Sequence, residues 1–541
     1  MTSRAHGGHL KQMLTVPVLP LPMPFDPKLP VVSVFPVESV ERPAKKVKPN
    51  GSLVTRMDGR LTLKPHQYAP ALAVAAHYEK PNSVPKGVLV FYEVGTGKTF
   101  AALHAARTFC DLTDGHVYII TTKANIDSTW TRDWEVYKSA LNETAPGVSA
   151  RYTRALEWGT KDTILKTKLK SPYMIIMDEA HLLRNLDSVK APQILAICEE
   201  ADYVMPLTAT PIVRTVSNLD ALYSYMTGEE ESIISVPTAR LAAEGDTATS
   251  PVEVGQYFNN MVLYQAQDTS RYPSVTESVV NVPLGDEYEL FVKEDEDKLK
   301  ELHEKLKHKR IGQERWDTTI SRLVALGPEG TIPNPFHVNS RQVCNSEGKF
   351  AMIWDAIVSD GDSRVVVFSN FRNEGIDGFM EWILRTQNFH RTGKREYEYI
   401  IRKDTHRTYE VVLWDNDRFD AITKWQHHND QIVKILLISP MAREGLSLKG
   451  VRQFHLMEPS WNVSDETQAI GRAVRMMSHA HLPISEQTVH VRRWIATYEG
   501  GETADERLTD LARMRVRVIG PYLKRLQWMG GRYVERLLAS F

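Results

Sequence analysis

The chain of 541 residues carries 66 lysine and arginine residues against 67 aspartate and glutamate residues, a formal net charge of −1 at pH 7. This balance excludes a globally basic nucleic-acid-binding protein, so any contact with a polyanion has to lie in a local groove. An apolar content of 42% allows real hydrophobic cores, and the length predicts three to four units of roughly 150 residues each.

The cysteines and the apolar segments narrow the class of protein further. Cys110, Cys198 and Cys344 stand far apart, which excludes a cysteine-based zinc site and suits a reducing compartment. No run of 18 apolar residues exists, and no apolar segment follows the first residues, so we expect neither a membrane span nor a signal peptide. These features predict an intracellular, non-secreted protein.

Residues 1–55 differ in composition from the rest of the chain. The proline-dense stretch Val16–Pro24 cannot form a helix or a central strand, so we predict a flexible, extended arm. The basic cluster Pro43–Pro49 is typical either of a nuclear import signal or of a solvated linker.

A phosphate-binding turn is predicted where a buried strand, Gly87–Tyr92, meets a helix that begins at Thr99. Glycines let a strand-to-helix turn point its N–H groups at phosphates, and a terminal Lys-Thr adds a cation and a magnesium ligand. Lys98 would therefore reach the β- and γ-phosphates of ATP, and the Thr99 hydroxyl would ligate Mg²⁺. Since Tyr92 stands where glycine is usual, an ordinary glycine turn is the alternative. The predicted nucleotide-binding residues of this turn are Gly95, Thr96, Gly97, Lys98 and Thr99.

Two acidic residues follow a further predicted strand, Tyr173–Met177. Parallel sheets place their chemistry at the carboxyl ends of their strands, so Asp178 would hold the same Mg²⁺ as Thr99. Glu179 would orient and deprotonate the attacking water. Acids that complement a helix N-terminus are the alternative explanation for this pair.

Other polar residues stand near the predicted nucleotide. Gln67 lies upstream of the turn and has an amide suited to an adenine edge. Thr208 and Thr210 end another predicted strand, and with His181 they would link the phosphates to the rest of the protein. Further strands are predicted at Val117–Thr122, Val204–Thr208, Val365–Asn370 and Lys434–Ser439.

Three segments outside these motifs carry distinct patterns. Lys293–Arg310 has the apolar spacing of an amphipathic helix, which either packs on a domain or docks a partner. Residues 391–413 interleave basic and tyrosine residues, as in a hairpin that contacts nucleic acid or a solvated hairpin or loop. The tail, residues 507–541, is basic and predicted to be helical, either packed on the second half of the protein or near DNA.

The ordered set of motifs resembles that of the superfamily 2 helicases and translocases, in their chromatin-remodeller-like branch. More narrowly, Val451–Asn462 followed by Gln468–Arg475 resembles the helicase-like ATPases of large nucleocytoplasmic DNA viruses, such as poxvirus nucleoside triphosphatase I and the early transcription factor ATPase subunit. The segments that match the family's motifs are Gly95–Thr99, the DEAH sequence Asp178–His181, Thr208–Thr210, Arg443–Leu448 and Gln468–Arg475.

The fold expected from strands alternating with helices, and from the resemblance, is α/β, with two tandem RecA-like parallel-sheet lobes. The predicted units are the arm at 1–55, an ATP-binding first lobe at 56–228, a partly helical inter-lobe segment at 229–335, a second lobe at 336–495, and a helical basic tail at 496–541.

The resemblance also implies roles for residues of the second lobe. Arg475, with Arg472 and Gln468, would act on the γ-phosphate across the cleft, and Gly445 would contact the nucleotide. Residues that follow strands would contact the polymer: Lys123, Ser369, Asn370 and Arg443.

The function expected is a nucleic-acid-dependent ATPase that uses ATP and Mg²⁺ and translocates on DNA, in viral transcription or a related genome transaction. A strand-separating DNA or RNA helicase is one alternative, and a transcription-complex scaffold with an ATP-dependent switch is another. Expected partners are nucleic acid, DNA rather than RNA, and RNA polymerase or transcription factor subunits. The basic cluster would direct the protein to the host nucleus; otherwise it would reside in the virion or in a cytoplasmic viral factory.

Overall fold

The computed structural model describes residues 61–81, 83–144, 149–213, 215–230, 232–234, 249–285, 288, 338–361, 364–391, 399–403, 408–413, 432–440, 448–460 and 463–539. The arm at 1–55, the helix predicted at Lys293–Arg310, and the residues Arg443 and Gly445 lie outside these ranges.

The first lobe is built on a six-stranded, fully parallel sheet. Its strands lie side by side in the order β3-β2-β4-β5-β1-β6. They are apolar along almost their whole length because helices cover both faces of a parallel sheet. The strand bounds are β1 Leu89–Tyr92, β2 His116–Ile120, β3 Leu156–Gly159, β4 Tyr173–Met177, β5 Tyr203–Thr208 and β6 Val262–Gln265.

The helices of the first lobe alternate with these strands, as the connections of a parallel sheet require. A π-helical turn, Ile126–Thr131, joins α3 to α4, and a 3₁₀ turn, Ala180–Leu183, follows β4. The helix bounds are α1 Pro65–Glu79, α2 Lys98–Thr113, α3 Lys123–Asn125, α4 Arg132–Thr144, α5 Ser149–Ala155, α6 Lys161–Ile164, α7 Ala191–Glu200, α8 Asn218–Thr227 and α9 Pro251–Tyr257.

The second lobe is built on an eight-stranded sheet in the order β7-β14-β13-β8-β12-β11-β10-β9. Neighbouring strands are parallel except at one edge, where β11, β10 and β9 pair antiparallel. The bounds are β7 Ser274–Pro283, β8 Arg364–Phe368, β9 His390–Arg391, β10 Tyr399–Lys403, β11 Thr408–Leu413, β12 Ile432–Ile438, β13 Gln453–Leu456 and β14 Thr488–Thr497.

The described helices of the second lobe are α10 Val338–Val343, α11 Glu347–Asp360, α12 Gly378–Thr386 and α13 Val463–Ile470. A second π-helical turn, Arg372–Asp377, leads into α12, and 3₁₀ turns occur at Thr269–Arg271 and Ile484–Glu486. The two-lobed α/β fold is therefore confirmed, as are the strands and the helix expected around the phosphate-binding turn.

The two sheets divide the chain differently from the predicted boundaries. The strand β6 belongs to the first sheet and β7 belongs to the second sheet, although both come from the segment predicted to be the inter-lobe region, residues 229–335. Both strands lie at sheet edges, where β6 pairs only with β1 and β7 only with β14. Edge strands lack a second neighbour, and their alternating or mixed sequences give a weaker apolar signal than the central strands do.

The hairpin expected within residues 391–413 is confirmed, since β10 pairs antiparallel with β11 from Tyr399 to Lys403. Two of its described side chains, those of Arg402 and Tyr409, pack inward. Tyr409 is buried, and the Arg402 guanidinium lies 5.6 Å from the Tyr409 ring centroid and 5.8 Å from that of Trp354. This part of the hairpin therefore belongs to the core of the second lobe.

The tail forms one long helix, α14 Ala504–Ala539. Its first turn is fixed to the second lobe, because Asp505 Oδ2 lies 2.8 Å from Lys349 Nζ and both side chains are fully buried. Its later part packs on the first lobe, where Tyr533, Val534 and Leu537 join the core beside α1. The expected packing on the second lobe is therefore only part of the arrangement, since α14 crosses from one lobe to the other over about 54 Å.

Cys110, Cys198 and Cys344 are all buried free thiols. Among the described residues, no helix is both long and apolar enough to cross a membrane.

Candidate active site

The turn between β1 and α2 has the backbone of a phosphate cradle. Gly95 and Gly97 have φ values of 79° and 84°, which side-chain-bearing residues rarely adopt. A Cβ atom at Gly97 would collide with the Gln67 amide nitrogen, and one at Gly95 would collide with the Tyr272 hydroxyl. Both glycines are therefore required by conformation and by space.

Lys98 begins α2 with its ammonium group turned back into this turn. Its Nζ donates to the backbone oxygens of Tyr92, at 2.9 Å, and of Glu93, at 3.4 Å. Burial lowers the pKa of Lys98, while the charges of Glu179, Asp178 and Glu93 oppose that shift. The ammonium group thus lies between the phosphate-binding turn and the acidic pair.

Tyr92, the departure from the usual motif, does not disturb the cradle. Its side chain is fully buried in the core of the first lobe, and its hydroxyl donates to the His66 backbone oxygen at 2.5 Å. Only its carbonyl faces the turn, where it accepts from Lys98. A large residue is tolerated here because its side chain points away from the space for phosphate.

Asp178 follows β4 and is held on one side by three donors. Its Oδ2 accepts from Thr121 Oγ1 at 2.8 Å, Asn125 Nδ2 at 3.2 Å and Trp130 Nε1 at 2.9 Å. Its Oδ1 accepts only a local bond, from the Glu179 backbone nitrogen at 3.0 Å, among the hydrogen bonds described. The carboxylate is therefore fixed in orientation.

Glu179 and His181 occupy the turn after Asp178. Glu179 has a φ of 47°, a left-handed backbone that costs free energy outside glycine and is frequent at functional sites. Its Oε2 lies 3.3 Å from His181 Nδ1, which is also 3.0 Å from Thr208 Oγ1. Burial, with the charges of Arg184 and Lys98, lowers the pKa of His181 to about 4. His181 is therefore neutral at pH 7 and links the acidic pair to β5.

The backbone nitrogen of Thr210 donates to Thr208 Oγ1 at 3.0 Å. This bond continues the chain of contacts from Glu179 through His181 along the carboxyl end of β5. The structure thus brings His181, Thr208 and Thr210 together, as the sequence predicts.

The residues present fit a nucleotide with a magnesium ion. The α2 N-terminus and its glycine turn present backbone N–H groups, which suit an anion. The Asp178 carboxylate and the Thr99 hydroxyl supply the oxygen ligands that Mg²⁺ prefers.

Gln67 is buried and already bonded to the cradle. Its Nε2 donates to the Gly97 backbone oxygen at 3.1 Å, and its Oε1 accepts from the Lys64 backbone nitrogen at 2.7 Å. In this structure the amide that was expected to bind adenine holds the turn in place. Binding of adenine by Gln67 would require the amide to exchange these partners.

Residues of the second lobe approach the same turn. Arg475 follows α13, and its Nε donates to the Gly471 backbone oxygen at 3.0 Å. Burial, and next the positive charges of Arg472 and Arg132, lower the pKa of Arg475 to about 10. The Tyr272 side chain shifts that pKa in the opposite direction. Arg132 belongs to the first lobe, and Tyr272 contacts Gly95 of the phosphate-binding turn. Because Arg475 is near both Arg132 and Tyr272, it faces the cleft between the lobes.

The sequence of Gln468–Arg475 is typical of the start of a helix that carries two arginines, but the structure does not form that helix. The helix α13 spans Val463–Ile470, so Gln468 is in its last turn and Arg472 and Arg475 lie beyond its end. The chain turns after Gly471, where the Leu448 backbone nitrogen donates to the Arg472 oxygen at 2.9 Å. This tertiary bond holds the two arginines in an irregular loop, which periodicity cannot detect.

The candidate polymer contacts divide into two groups. Lys123 is exposed at the start of α3. Ser369 is fully buried, and its hydroxyl donates to Glu458 Oε2 at 2.9 Å, which places it out of reach of a polymer in this structure. The Asn370 Nδ2 donates to Ser460 Oγ at 3.1 Å, so this side chain makes a hydrogen bond within the second lobe.

Several side chains at the site carried no motif of their own. Trp130 and Asn125 bind Asp178, and Tyr272 contacts Gly95. Because all three lie outside the predicted strand ends, only an unusual grouping of tryptophan and polar residues after β2 signalled any of them.

Two family models match the chain, one on each lobe. The model described as "Type III restriction enzyme, res subunit" matches residues 60–213, and the one described as "Helicase conserved C-terminal domain" matches residues 348–477. The first range includes the phosphate turn and the acidic pair, and the second includes Arg475.

Whole-chain similarity extends to viral proteins. The chain is 26% identical to an ATP-dependent RNA helicase of Acanthamoeba polyphaga mimivirus, over 82% of this chain and 95% of that protein. It is 18% identical to nucleoside triphosphatase I of Choristoneura fumiferana entomopoxvirus, over 79% of this chain and 73% of that protein.

A shorter match with a higher sequence identity is to the termination factor NPH-I homolog of African swine fever virus, with 44% identity over 12% of this chain and 9% of that protein. Among solved structures, the Hef helicase domain of Pyrococcus furiosus is 13% identical over 84% of this chain and all of that one, with a TM-score of 0.42.

Substitution of the two charged groups beside the turn should separate binding from chemistry. Lys98→Ala removes the cation expected at the β- and γ-phosphates, and we expect it to lower ATP turnover by roughly 10²-fold or more. Glu179→Gln should keep ATP bound but block hydrolysis, because the amide cannot accept the proton of water. Phosphate release and nucleotide retention on the protein measure the two effects.

Lys138→Ala, which removes a lysine from the surface of α4, is the control for the loss of charge. Parental turnover in the Glu179→Gln protein would disprove the assignment of Glu179 as the general base.

Gln67→Ala tests the two roles of the buried amide. Loss of its bond to Gly97 should weaken binding of both ATP and GTP, and loss of an adenine contact should weaken ATP more. We therefore expect the preference for ATP over GTP to relax, as measured by competition between the nucleotides in a binding assay. An unchanged preference with weaker binding of both would make Gln67 a support of the turn only.

Proposed function

This chain is a superfamily 2 helicase-like ATPase of the viral type, and we propose that nucleic acid stimulates its ATPase cycle, which moves the protein along DNA. The observation that carries the proposal is the division of the site. The phosphate turn, Lys98 and the acidic pair belong to the first lobe, whereas Arg475 belongs to the second and faces them across the cleft.

Hydrolysis in such a site needs groups from both lobes. We propose that Lys98 and the turn bind the β- and γ-phosphates, and that Glu179 accepts a proton from the attacking water. Thr99 and Asp178 would hold Mg²⁺, which neutralises charge on the phosphate oxygens when bound. Arg475 would stabilise the charge that develops on the γ-phosphate.

Coupling follows from the position of Arg475. Its guanidinium can stabilise the transition state only when the second lobe approaches the first, and an arginine in this role accelerates hydrolysis by roughly 10³–10⁵-fold in comparable enzymes. A polymer bound across both lobes would favour that approach. The ATPase cycle would then alternate between lobe arrangements and advance the protein along the strand.

The names of the relatives support nucleic acid as the partner but leave the polymer open. The mimivirus relative is named an RNA helicase, and the African swine fever virus relative a termination factor. We propose DNA as the track and transcription, with RNA polymerase or transcription factor subunits as partners, as the setting.

Strand separation is the second candidate function, favoured by the helicase name of the mimivirus relative. Phosphate release with no polymer, single-stranded DNA, duplex DNA or RNA identifies the track, and displacement of a labelled strand distinguishes unwinding from translocation alone. A scaffold with an ATP switch would show no stimulation by any polymer.

Arg475→Ala tests the division of the site between lobes. Because Arg475 is proposed to act only on the transition state, the variant should lose turnover by roughly 10³-fold while it keeps its affinity for ATP. Steady-state phosphate release gives the first quantity, and equilibrium titration with a fluorescent ATP analogue gives the second. Losses of equal size in both would show that Arg475 only binds nucleotide.

The near-neutral charge predicts a small number of contacts with polymer phosphates. Affinity for DNA should fall with salt along a log–log slope of roughly −2 to −5, since the slope follows the number of phosphates neutralised. Lys123→Ala should reduce the slope by about one unit, as should Arg443→Ala, while Lys138→Ala should not change it. Fluorescence anisotropy across a salt series measures the slope, and a salt-insensitive affinity would contradict the groove.

A further inference from the structure

The segment that leads from β2 to the start of α4, residues 121–132, contacts a group expected to hold the metal. It contains α3, the π-helical turn Ile126–Thr131 and the first residue of α4. A π-helical turn is rare and occurs frequently at functional sites, because it redirects side chains that an α-helix would point elsewhere. Here the turn places the Trp130 indole against a carboxylate that follows another strand.

The group contacted is the Asp178 carboxylate. Trp130 is fully buried, and its Nε1 donates to Asp178 Oδ2 at 2.9 Å. Thr121 and Asn125 donate to the same oxygen, at 2.8 Å and 3.2 Å. An ionised carboxylate has about two acceptor sites on each oxygen, so three donors saturate Oδ2. This arrangement leaves Oδ1 as the oxygen available to a cation.

We propose that residues 121–132 position a magnesium ligand, with Trp130 as the positioning residue for Asp178. The proposal rests on the proposed function only in that the ATPase uses Mg²⁺. Trp130 would touch neither the nucleotide nor the metal; it fixes the carboxylate that would hold the ion.

The same segment also connects this metal ligand to the rest of the cycle. Lys123, a candidate polymer contact, lies near its start, and Arg132, which is near Arg475, lies at its end. A displacement of this segment by polymer or by the second lobe would change the orientation of Asp178. The segment is thus a physical route by which binding elsewhere would alter metal affinity.

Trp130→Phe removes the indole N–H while it keeps an aromatic ring in the core. We expect the dissociation constant for Mn²⁺ in the protein–ADP complex, measured by electron paramagnetic resonance, to rise roughly 10-fold, as is usual when a partner of a metal ligand is lost. ADP affinity in EDTA should be unchanged. A metal-positioning role predicts this split, whereas general loosening of the fold would weaken both.

Trp134→Phe is the matched control, because Trp134 is also buried in the same part of the chain but stacks on Tyr137, 6.2 Å away. Asn125→Ala removes another donor to Asp178, from a partly exposed position. This variant replaces Trp130→Phe in the measurement if Trp130→Phe fails to fold. Ser128→Ala is its control, since the Ser128 hydroxyl donates to the Ala124 backbone oxygen at 2.6 Å.

Mn²⁺ affinities at the parental value in both Trp130→Phe and Asn125→Ala would overturn the proposal, and so would equal losses in the test variants and their controls. The measurement needs neither polymer nor turnover. Failure of nucleic acid to stimulate the ATPase would therefore refute the proposed function without affecting this result.

Discussion

The Asp178 carboxylate, charged and fixed beside the Lys98 ammonium, is the constraint on which the active site depends. A carboxylate at the end of a buried strand loses hydration, and hydrogen bonds must replace that hydration if it is to stay ionised. Thr121, Asn125 and Trp130 supply these bonds. The cost of desolvation is thereby offset by donors that also fix the direction of the free oxygen, as metal binding requires.

The cradle follows the same principle on its cationic side. Burial lowers the pKa of Lys98, but the neighbouring acids favour its charged form. The Lys98 ammonium group donates to the carbonyl oxygens of Tyr92 and Glu93, which a bound phosphate would replace. Glu93 is itself fixed to the first lobe, because its carboxylate accepts from the Tyr264 hydroxyl at 2.6 Å. The Lys98 ammonium group is thus kept in place by carbonyl oxygens that a nucleotide could displace.

The long helix α14 limits how the two lobes can move. Its start is tied to the second lobe by the Lys349–Asp505 pair, and its later turns belong to the core of the first lobe. Removal of one partner from a buried ion pair costs about 3–5 kcal/mol, because the other charge stays behind without compensation. A movement of the lobes that separated the Lys349–Asp505 pair would carry this cost, so α14 favours movements that keep both anchors.

The sequence by itself determined the central strands, the phosphate turn and the acidic pair, because these depend on local patterns: unbroken apolar runs, glycines and the residues that immediately follow a strand. It did not determine the edge strands β6 and β7 or the irregular loop that carries Arg475. It also did not determine the packing of α14 or the burial of Ser369 against Glu458. The partners that Trp130 and Gln67 bind were likewise decided only by tertiary structure. Each of these features depends on groups distant in sequence, brought together when the chain folds, and the spacing of residues along the chain carries no record of such contacts.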